Sequence, residues 1–163
     1  MYILLGTAFV LLLFLIVGLL LPNMRTMTKQ AVYDASIETV YNIVTNNSNW
    51  EYRTFLDDLK IIGTNGEFEI WDKISGGITI RFKTKEKRPY TFYSFEMDSK
   101  FFKGEWFAEF EIIDNGKTRL SATETIEYKN LFIRVIGYAF MNLDKYMETF
   151  QNELRNKLEN TSR

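Results

Sequence analysis

The chain has 163 residues, with 20 lysines and arginines against 21 aspartates and glutamates, and it contains neither cysteine nor histidine. These absences exclude a disulfide framework, a thiolate nucleophile and a Ser-His-Asp triad, and they leave only all-oxygen metal sites. Acid–base chemistry must therefore come from Asp, Glu, Lys or Tyr side chains. The formal net charge of −1 argues against a nucleic-acid partner bound by phosphate neutralisation.

An apolar, uncharged run occupies residues 2–21. As a helix it would extend about 30 Å, the thickness of the hydrocarbon core of a bilayer. Pro22 follows it and ends the helix. A signal peptide or a buried core helix are the alternatives, but no basic segment precedes the run and no small-residue cleavage site follows it. The sequence predicts a transmembrane anchor over residues 1–22 that crosses the cell membrane once.

The first cations after this run, Arg25 and Lys29, give a weak indication of sidedness, since no lysine or arginine precedes the run. Cytoplasmic segments next to membrane helices carry an excess of positive charge. The soluble domain is therefore expected on the cytoplasmic side.

The remaining residues, 23–163, have the size of one domain. A first strand is predicted over 25–34 and a short helix over 35–45, with Ser36 as its N-cap. The apolar residues of this helix share one face at 3.6-residue spacing; they are Ile37, Val40, Tyr41 and Val44.

Six strand-like segments follow, separated by turn signals such as Asn65-Gly66 and Asn115-Gly116. They are residues 55–63, 67–74, 78–84, 90–98, 105–113 and 118–127. Each has one apolar face, which predicts an antiparallel sheet covered on one side. The cover is a single amphipathic helix predicted over 131–159, about 45 Å long, whose apolar residues recur at steps of three and four.

The segment from Ala35 to Thr45 with Asn49-Trp50 after it, together with residues 116–120 at the start of the last strand, resembles the START-like (SRPBCC) superfamily, which includes polyketide cyclases and lipid-transfer domains. Some bacterial members carry a membrane helix directly before the domain. The resemblance implies an α+β helix-grip fold over 23–163, with a curved antiparallel sheet of about seven strands wrapped around a long C-terminal helix. It also implies a cavity between sheet and helix that holds an apolar molecule.

Candidate site residues follow from the predicted inner faces. The expected aromatic lining comprises Phe82, Tyr93, Phe95, Trp106 and Phe110 from strands and Phe140 from the long helix. Simple core filling is the alternative for each ring.

Glu124 lies between Ala122 and Ile126 on the inward face of the last strand. It is a candidate ligand-binding polar anchor, or a weak candidate catalytic acid or base with a raised pKa. A shifted register or a structural ion pair would give it no functional role. Asp72, in step with Phe68 and Ile70, is a second and weaker candidate.

A basic cluster consists of Arg81, Lys83, Lys85, Lys87 and Arg88. It could lie against anionic lipid, or it could simply be the solvated side of a hairpin.

The sequence thus favours a membrane-anchored domain that binds a lipid or other apolar small molecule. A cyclase- or dehydratase-type enzyme using Glu124 and a protein-interaction module with a filled core are the alternatives. No cofactor or metal motif is present, and neither the ligand nor a protein partner can be named.

Overall fold

The computed structural model of the chain describes residues 2–161, with the side chains of residues 6–114 and 116–161. Met1 of the predicted anchor and residues 162–163 of the predicted domain lie outside the described residues. The elements are α1 Tyr2–Leu20, β1 Met24–Tyr33, α2 Ile37–Thr45, β2 Asp58–Asn65, β3 Phe68–Ser75, β4 Ile78–Arg88, β5 Phe92–Ser99, β6 Phe102–Ile112, β7 Thr118–Tyr128, α3 Leu131–Phe140 and α4 Leu143–Thr161. A single 3-10 turn at Asp114–Gly116 precedes β7.

The strands form one sheet in the order β1-β7-β6-β5-β4-β3-β2, and every neighbouring pair is antiparallel. Successive strands from β2 to β7 are neighbours because tight turns join them. At the β2–β3 turn, Gly66 has a φ of 64°, a conformation that glycine adopts without strain. Register shifts between Ile61 and Gly63 and between Thr84 and Glu86 bend the sheet. The predicted curved antiparallel sheet of about seven strands is confirmed.

Helix α2 connects the two edge strands, β1 and β2. It begins after Ser36, whose side-chain oxygen accepts a hydrogen bond from the Thr39 amide at 3.3 Å. Its apolar face is buried as predicted, with Ile37, Val40, Tyr41 and Val44 in the core. The N-cap and the 3.6-residue spacing were therefore sufficient to place this helix.

The single helix predicted over 131–159 is wrong, because the chain forms two helices with a break at Met141 and Asn142. The Met141 amide closes α3 by donating to the Gly137 carbonyl at 2.9 Å. The Asn142 side chain then accepts from the Lys145 amide at 3.0 Å and so caps the start of α4. An N-cap residue has non-helical backbone, so the helix cannot run through this point.

Helix α4 packs over the inner face of the sheet, where it contacts β1 and α2. Helix α2 also contacts β6, and α3 contacts the end of β7. The buried apolar residues of α4 are Leu143, Met147, Leu154 and Leu158. Polar contacts fix it to β1, among them the hydrogen bond that the Tyr33 hydroxyl donates to the Gln151 carbonyl at 3.2 Å and the ion pair of Lys29 Nζ with Asp144 Oδ1 at 3.0 Å.

Helix α1 packs against α3. Gly18 allows the close approach, since a Cβ at this position would collide with the Leu131 side chain. The Phe14 and Phe132 rings stack with centroids 5.6 Å apart. Arg134 of α3 donates to the carbonyl oxygens of Gly18 at 3.0 Å and Leu21 at 3.1 Å, which caps the C-terminal end of α1.

In the part of the chain that the structure describes, no helix meets the combined length and apolarity required to span a bilayer. The transmembrane anchor predicted for residues 1–22 is therefore not confirmed. Arg25 and Lys29, the two cations on which the predicted membrane sidedness was based, both make contacts within the protein. Arg25 donates to the Met141 carbonyl at 2.9 Å, and Lys29 pairs with Asp144.

Stability should depend on the strands beneath α4. Leu120 of β7 is fully buried, so Leu120→Ala is expected to lower the free energy of unfolding by about 2–5 kcal/mol. Ile112→Ala is the matched control, because this aliphatic side chain on β6 is 63% exposed and its loss should change stability by no more than about 0.5 kcal/mol. Urea unfolding followed by tryptophan fluorescence measures both. Equal losses for the two variants would contradict the assignment of the core.

Candidate functional site

A cavity of about 290 Å³ lies between the inner face of the sheet and α4. Most of its wall is apolar. The aromatic residues in the wall are Phe55, Phe82, Tyr93, Phe95, Phe102, Trp106, Tyr146 and Phe150. Three wall residues, Phe55, Ile78 and Tyr146, are exposed and mark the opening, which lies between the loop before β2, the β3–β4 turn and the first turns of α4.

The aromatic wall is a packed array centred on Phe95. Its ring stacks on Trp106 at a centroid distance of 5.0 Å and meets Phe82 and Trp71 edge-on at 5.3 and 5.4 Å. Offset-stacked and edge-on pairs are the favourable arrangements for aromatic rings. The rings therefore support one another and leave the space beside them open.

The structure brings four of the six predicted rings to this cavity, namely Phe82, Tyr93, Phe95 and Trp106. Phe110 is buried outside the wall, where its ring meets that of Tyr41 at 5.1 Å. The placement predicted for Phe140 is wrong: it ends α3, before the helix break, and is 85% exposed. Whether the four wall rings bind a ligand stays a prediction.

Glu124 faces the cavity on β7, as its alternation with Ala122 and Ile126 predicted. Among the described residues its carboxyl group has neither an ion-pair partner nor a side-chain hydrogen bond. Burial raises the pKa of Glu124 to about 7, and the positive charge of Lys73 offsets only part of this effect. The carboxyl group therefore changes its protonation state near neutral pH.

Lys73 of β3 lines the same cavity and was missed by sequence reasoning. Its Nζ lies 4.4 Å from the centroid of the Phe82 ring. Burial lowers the pKa of Lys73 to about 7; the nearby Arg53 charge lowers the pKa further, and Glu124 acts in the opposite direction. β3 and β7 are separated by three strands, so the curvature of the sheet brings Lys73 and Glu124 to one cavity.

The face assigned to β3 is wrong, which explains the omission of Lys73. Counting the apolar residues on each face of β3 favours the face of Phe68, Ile70 and Asp72 as the inward one. In the structure, however, Phe68 is 43% exposed and Trp71 is fully buried. Asp72 lies on the outer side and pairs with Arg81 through two bonds of 2.9 Å.

The register of the β3–β4 hairpin could have shown which face of β3 is buried. The two-residue Gly76-Gly77 turn pairs Lys73 with Ile80 and Trp71 with Phe82. Directly paired residues of an antiparallel sheet share a face. Phe82 was already assigned inward, and Ile80 shares its face because it lies two residues before it on the same strand. The register alone would therefore have placed Lys73 on the inner face.

Arg53, in the segment between α2 and β2, is the third charged residue of the wall and is only 8% exposed. Its Nε donates to the Tyr52 hydroxyl at 3.3 Å. Its Cζ lies 5.8 Å from the centroid of the Phe150 ring on α4. No carboxylate of the described chain forms an ion pair with it. The sequence around Arg53 has no pattern that distinguishes it from a surface arginine.

Tyr93 adds a buried hydroxyl to the site. Burial raises its pKa to about 12, so it stays protonated at neutral pH. It neighbours Asn47 and Thr84, although neither makes a hydrogen bond of normal geometry with it. The site therefore combines an apolar aromatic wall with Arg53, with Lys73 and Glu124, whose pKa values both lie near 7, and with the buried hydroxyl of Tyr93. Within the described residues, no group of three or more acidic side chains could hold a metal ion.

Most of the basic cluster lies on the outer face of the sheet and is paired with carboxylates, whereas Lys87 lies opposite Tyr93 of β5, with its Nζ 5.5 Å from the centroid of that ring. Lys85 Nζ lies 2.8 Å from Glu105 Oε1, and Arg88 Nε lies 3.1 Å from Glu86 Oε1. Arg81 pairs with Asp72, as described above. The cluster therefore behaves as the solvated side of a sheet rather than as a free cationic surface.

No protein-family model matches the sequence, and no curated protein matches it. Solved structures share the fold. The aromatase/cyclase Zhui from Streptomyces sp. R1128 has a TM-score of 0.75 at 10% identity, over 86% of this chain and 96% of that one. A START superfamily protein from Mycobacterium smegmatis has a TM-score of 0.65 at 14% identity, over 83% and 98%.

Norcoclaurine synthase from Thalictrum flavum is also similar, with a TM-score of 0.65 at 10% identity over 83% of this chain and 86% of that one. At such low identity the likeness concerns the fold alone. The chain shares with these structures a helix-grip-like fold, and this part of the sequence prediction is confirmed.

The raised pKa of Glu124 has a measurable effect on stability. The unfolded chain keeps an ordinary carboxyl pKa of 4.5, whereas the folded value is about 7, so folding loses stability as pH rises from 4.5 through 7. Glu124→Gln removes this loss. The variant should exceed the parent in free energy of unfolding by up to about 3 kcal/mol near pH 8, and the difference should be smallest at low pH.

Urea titrations at a series of pH values measure this difference. Glu109→Gln, on the exposed outer face of β6, serves as the matched control and should show no such pH dependence. A pH-independent difference for Glu124→Gln would show that Glu124 is solvated in the folded protein.

Proposed function

We propose that the domain binds a lipid or another apolar small molecule in the cavity between the sheet and α4. The observation that carries this proposal is the cavity itself, with its aromatic wall and its opening at Phe55, Ile78 and Tyr146. Its volume of about 290 Å³ lies at the small end of the range for ligand sites, and apolar walls with a few polar groups are their usual lining. The fold of the solved relatives supports the same proposal.

The cavity also weighs against the alternative of an interaction module with a filled core. Many of the large side chains pack on one another along the sheet and leave this space open. The Phe95 and Trp106 rings, for example, stack on each other, although the Trp106 ring also meets the Phe150 ring of α4 edge-on at 6.0 Å. An apolar space of this size is unfavourable when empty, because its lining loses dispersion contacts, and a bound apolar molecule restores them.

An enzyme is the second candidate. Glu124 and Lys73 both have pKa values near 7, and groups that titrate near the working pH are suited to proton transfer. Two solved structures with this fold are named as an aromatase/cyclase and a synthase. For an enzyme, Glu124→Gln would retain ligand binding and lose turnover, whereas a binding protein would show no turnover to lose.

Filling the cavity should abolish binding without unfolding the protein. Ala122→Leu places extra methyl groups into the space beside Glu124, so 1:1 binding of 1-decanol should weaken by about tenfold or more. Ala139→Leu on the exposed side of α3 is the matched control and should bind as the parent does. Native mass spectrometry of the detergent-solubilised chain measures the 1:1 complex. Equal binding by the two variants, or no binding by the parent, would contradict the proposal.

We propose further that α1 anchors the domain to the cell membrane, with the domain on the cytoplasmic side. Large apolar side chains of α1 are exposed, for example Phe9 at 66% and Leu20 at 79%. Phe132, Ile136 and Phe140 of α3 extend this apolar surface. Contiguous apolar surface of this kind is typical of a site that contacts a membrane or a partner. Arg25 and Lys29, the first cations after α1, favour the cytoplasmic side.

Because the chain has no cysteine, a single Asn152→Cys substitution on the exposed side of α4 reports sidedness. In protoplasts expressing the full chain, a membrane-impermeant maleimide should label this cysteine only after permeabilisation, and the protein should pellet with membranes. The cysteine-free parent is the control for background labelling. Labelling of intact protoplasts would contradict the sidedness, and recovery in the soluble fraction would contradict the anchor.

A further inference from the structure

The cavity contains an excess of positive charge that the protein itself does not neutralise. The titratable or charged side chains in its wall are Arg53, Lys73 and Glu124, together with the hydroxyls of Tyr93 and Tyr146. Two formal cations therefore face one carboxyl group. None of the three charged groups forms an ion pair within the described chain, although eleven ion pairs are formed on the rest of it.

The two cations are held against aromatic rings rather than against carboxylates. Lys73 Nζ lies 4.4 Å from the Phe82 centroid and 5.9 Å from the Phe95 centroid. The Arg53 guanidinium lies between the Tyr52 and Phe150 rings, at 5.4 and 5.8 Å from their centroids. Cation–π contacts recover part of the free energy that a cation loses when it leaves water. They leave the Lys73 ammonium group available to a molecule in the cavity, and also the Arg53 guanidinium apart from its Nε, which donates to the Tyr52 hydroxyl.

We propose that the ligand is an amphiphile with one carboxylate group, whose head is bound by Arg53 and Lys73 and whose apolar body lies along the Phe95–Trp106 wall. This assignment rests on the proposed binding function. An Arg guanidinium matches a carboxylate with two parallel hydrogen bonds, and Lys73 adds a point charge. A bound carboxylate reduces this excess of positive charge, whereas a neutral apolar molecule would leave it uncompensated.

The volume of the cavity limits the size of the apolar part of the ligand. A volume of about 290 Å³ accommodates on the order of ten water-sized groups, which corresponds to a single medium-length alkyl chain or a small fused-ring system. A molecule with one such apolar body matches this volume, so we expect a free carboxylic acid with a single chain or a small ring system.

The charges of the wall also determine how binding depends on pH. At low pH, Lys73 is positive and Glu124 is protonated, so Glu124 can donate a hydrogen bond to the carboxylate of the ligand. As pH rises through about 7, Lys73 loses its charge and Glu124 becomes an anion that repels the ligand. Arg53 stays charged, and the hydroxyl of Tyr93 stays neutral. Affinity for the carboxylate should therefore fall with rising pH.

Decanoate and 1-decanol, which share one alkyl chain and differ in the head group, test the assignment on the full-length protein in detergent. Calorimetric titration near pH 6, where a free carboxylate is ionised, should give an affinity about tenfold higher for decanoate. Near pH 8.5 this preference should fall by at least about threefold. Lys73→Met should remove most of the preference by weakening decanoate binding far more than 1-decanol binding, and Lys60→Met, on the exposed part of β2, should behave as the parent.

Arg53→Gln provides the same test if Lys73→Met fails to fold, and circular dichroism shows which variants are folded. Equal affinities for decanoate and 1-decanol would overturn the carboxylate assignment and leave the binding function intact. Tighter binding of decyl phosphate than of decanoate would overturn the choice of head group. If neither decanoate nor 1-decanol binds, the proposed binding function itself fails.

Discussion

The incomplete closure of α4 over the sheet is the constraint on which the rest of the structure depends. A curved seven-stranded sheet presents a wide inner face, and α4 is 19 residues long, about 28 Å. Because Asn142 caps α4, the preceding residues of α3 turn away toward β7 and α1 instead of extending the cover. The rings of β4, β5 and β6 pack against one another along the sheet, and the remaining space becomes the cavity.

The same incomplete closure explains why charged side chains are tolerated inside. A lysine, an arginine and a glutamate on separate elements would be strongly unfavourable in a fully packed core, where neither water nor a counter-ion could reach them. Lys73, Arg53 and Glu124 all border the cavity, so a guest molecule can reach each of them. The cavity wall thus combines apolar rings with unpaired charged groups, and this combination favours an amphipathic ligand.

The order of elements, the sheet and the inward position of Glu124 could be predicted, because alternation and turn residues act over short distances. Two parts could not. The apolar pattern of α3 and α4 is continuous in sequence, and only the capping side chain of Asn142 interrupts it, which left Phe140 on the wrong side of the break. On β3 the apolar count favoured Phe68 and Ile70, whereas the buried face is set by Trp71 pairing with Phe82 on β4. Because the wrong face of β3 was assigned inward, Lys73 was not predicted as a site residue. Arg53 lies in a segment without hydrophobic periodicity, so its position could not be predicted either.

The central claim is that the cavity binds a ligand, and diffraction can locate such a ligand directly. Crystals of the full chain grown with a terminally brominated decanoate would give an anomalous signal from the bromine. The account predicts one peak inside the space enclosed by β4, β5, β6 and α4, with the carboxylate density between Arg53 and Lys73. Bromine confined to the apolar surface of α1 and α3, with the interior space closed by repacked rings, would contradict it.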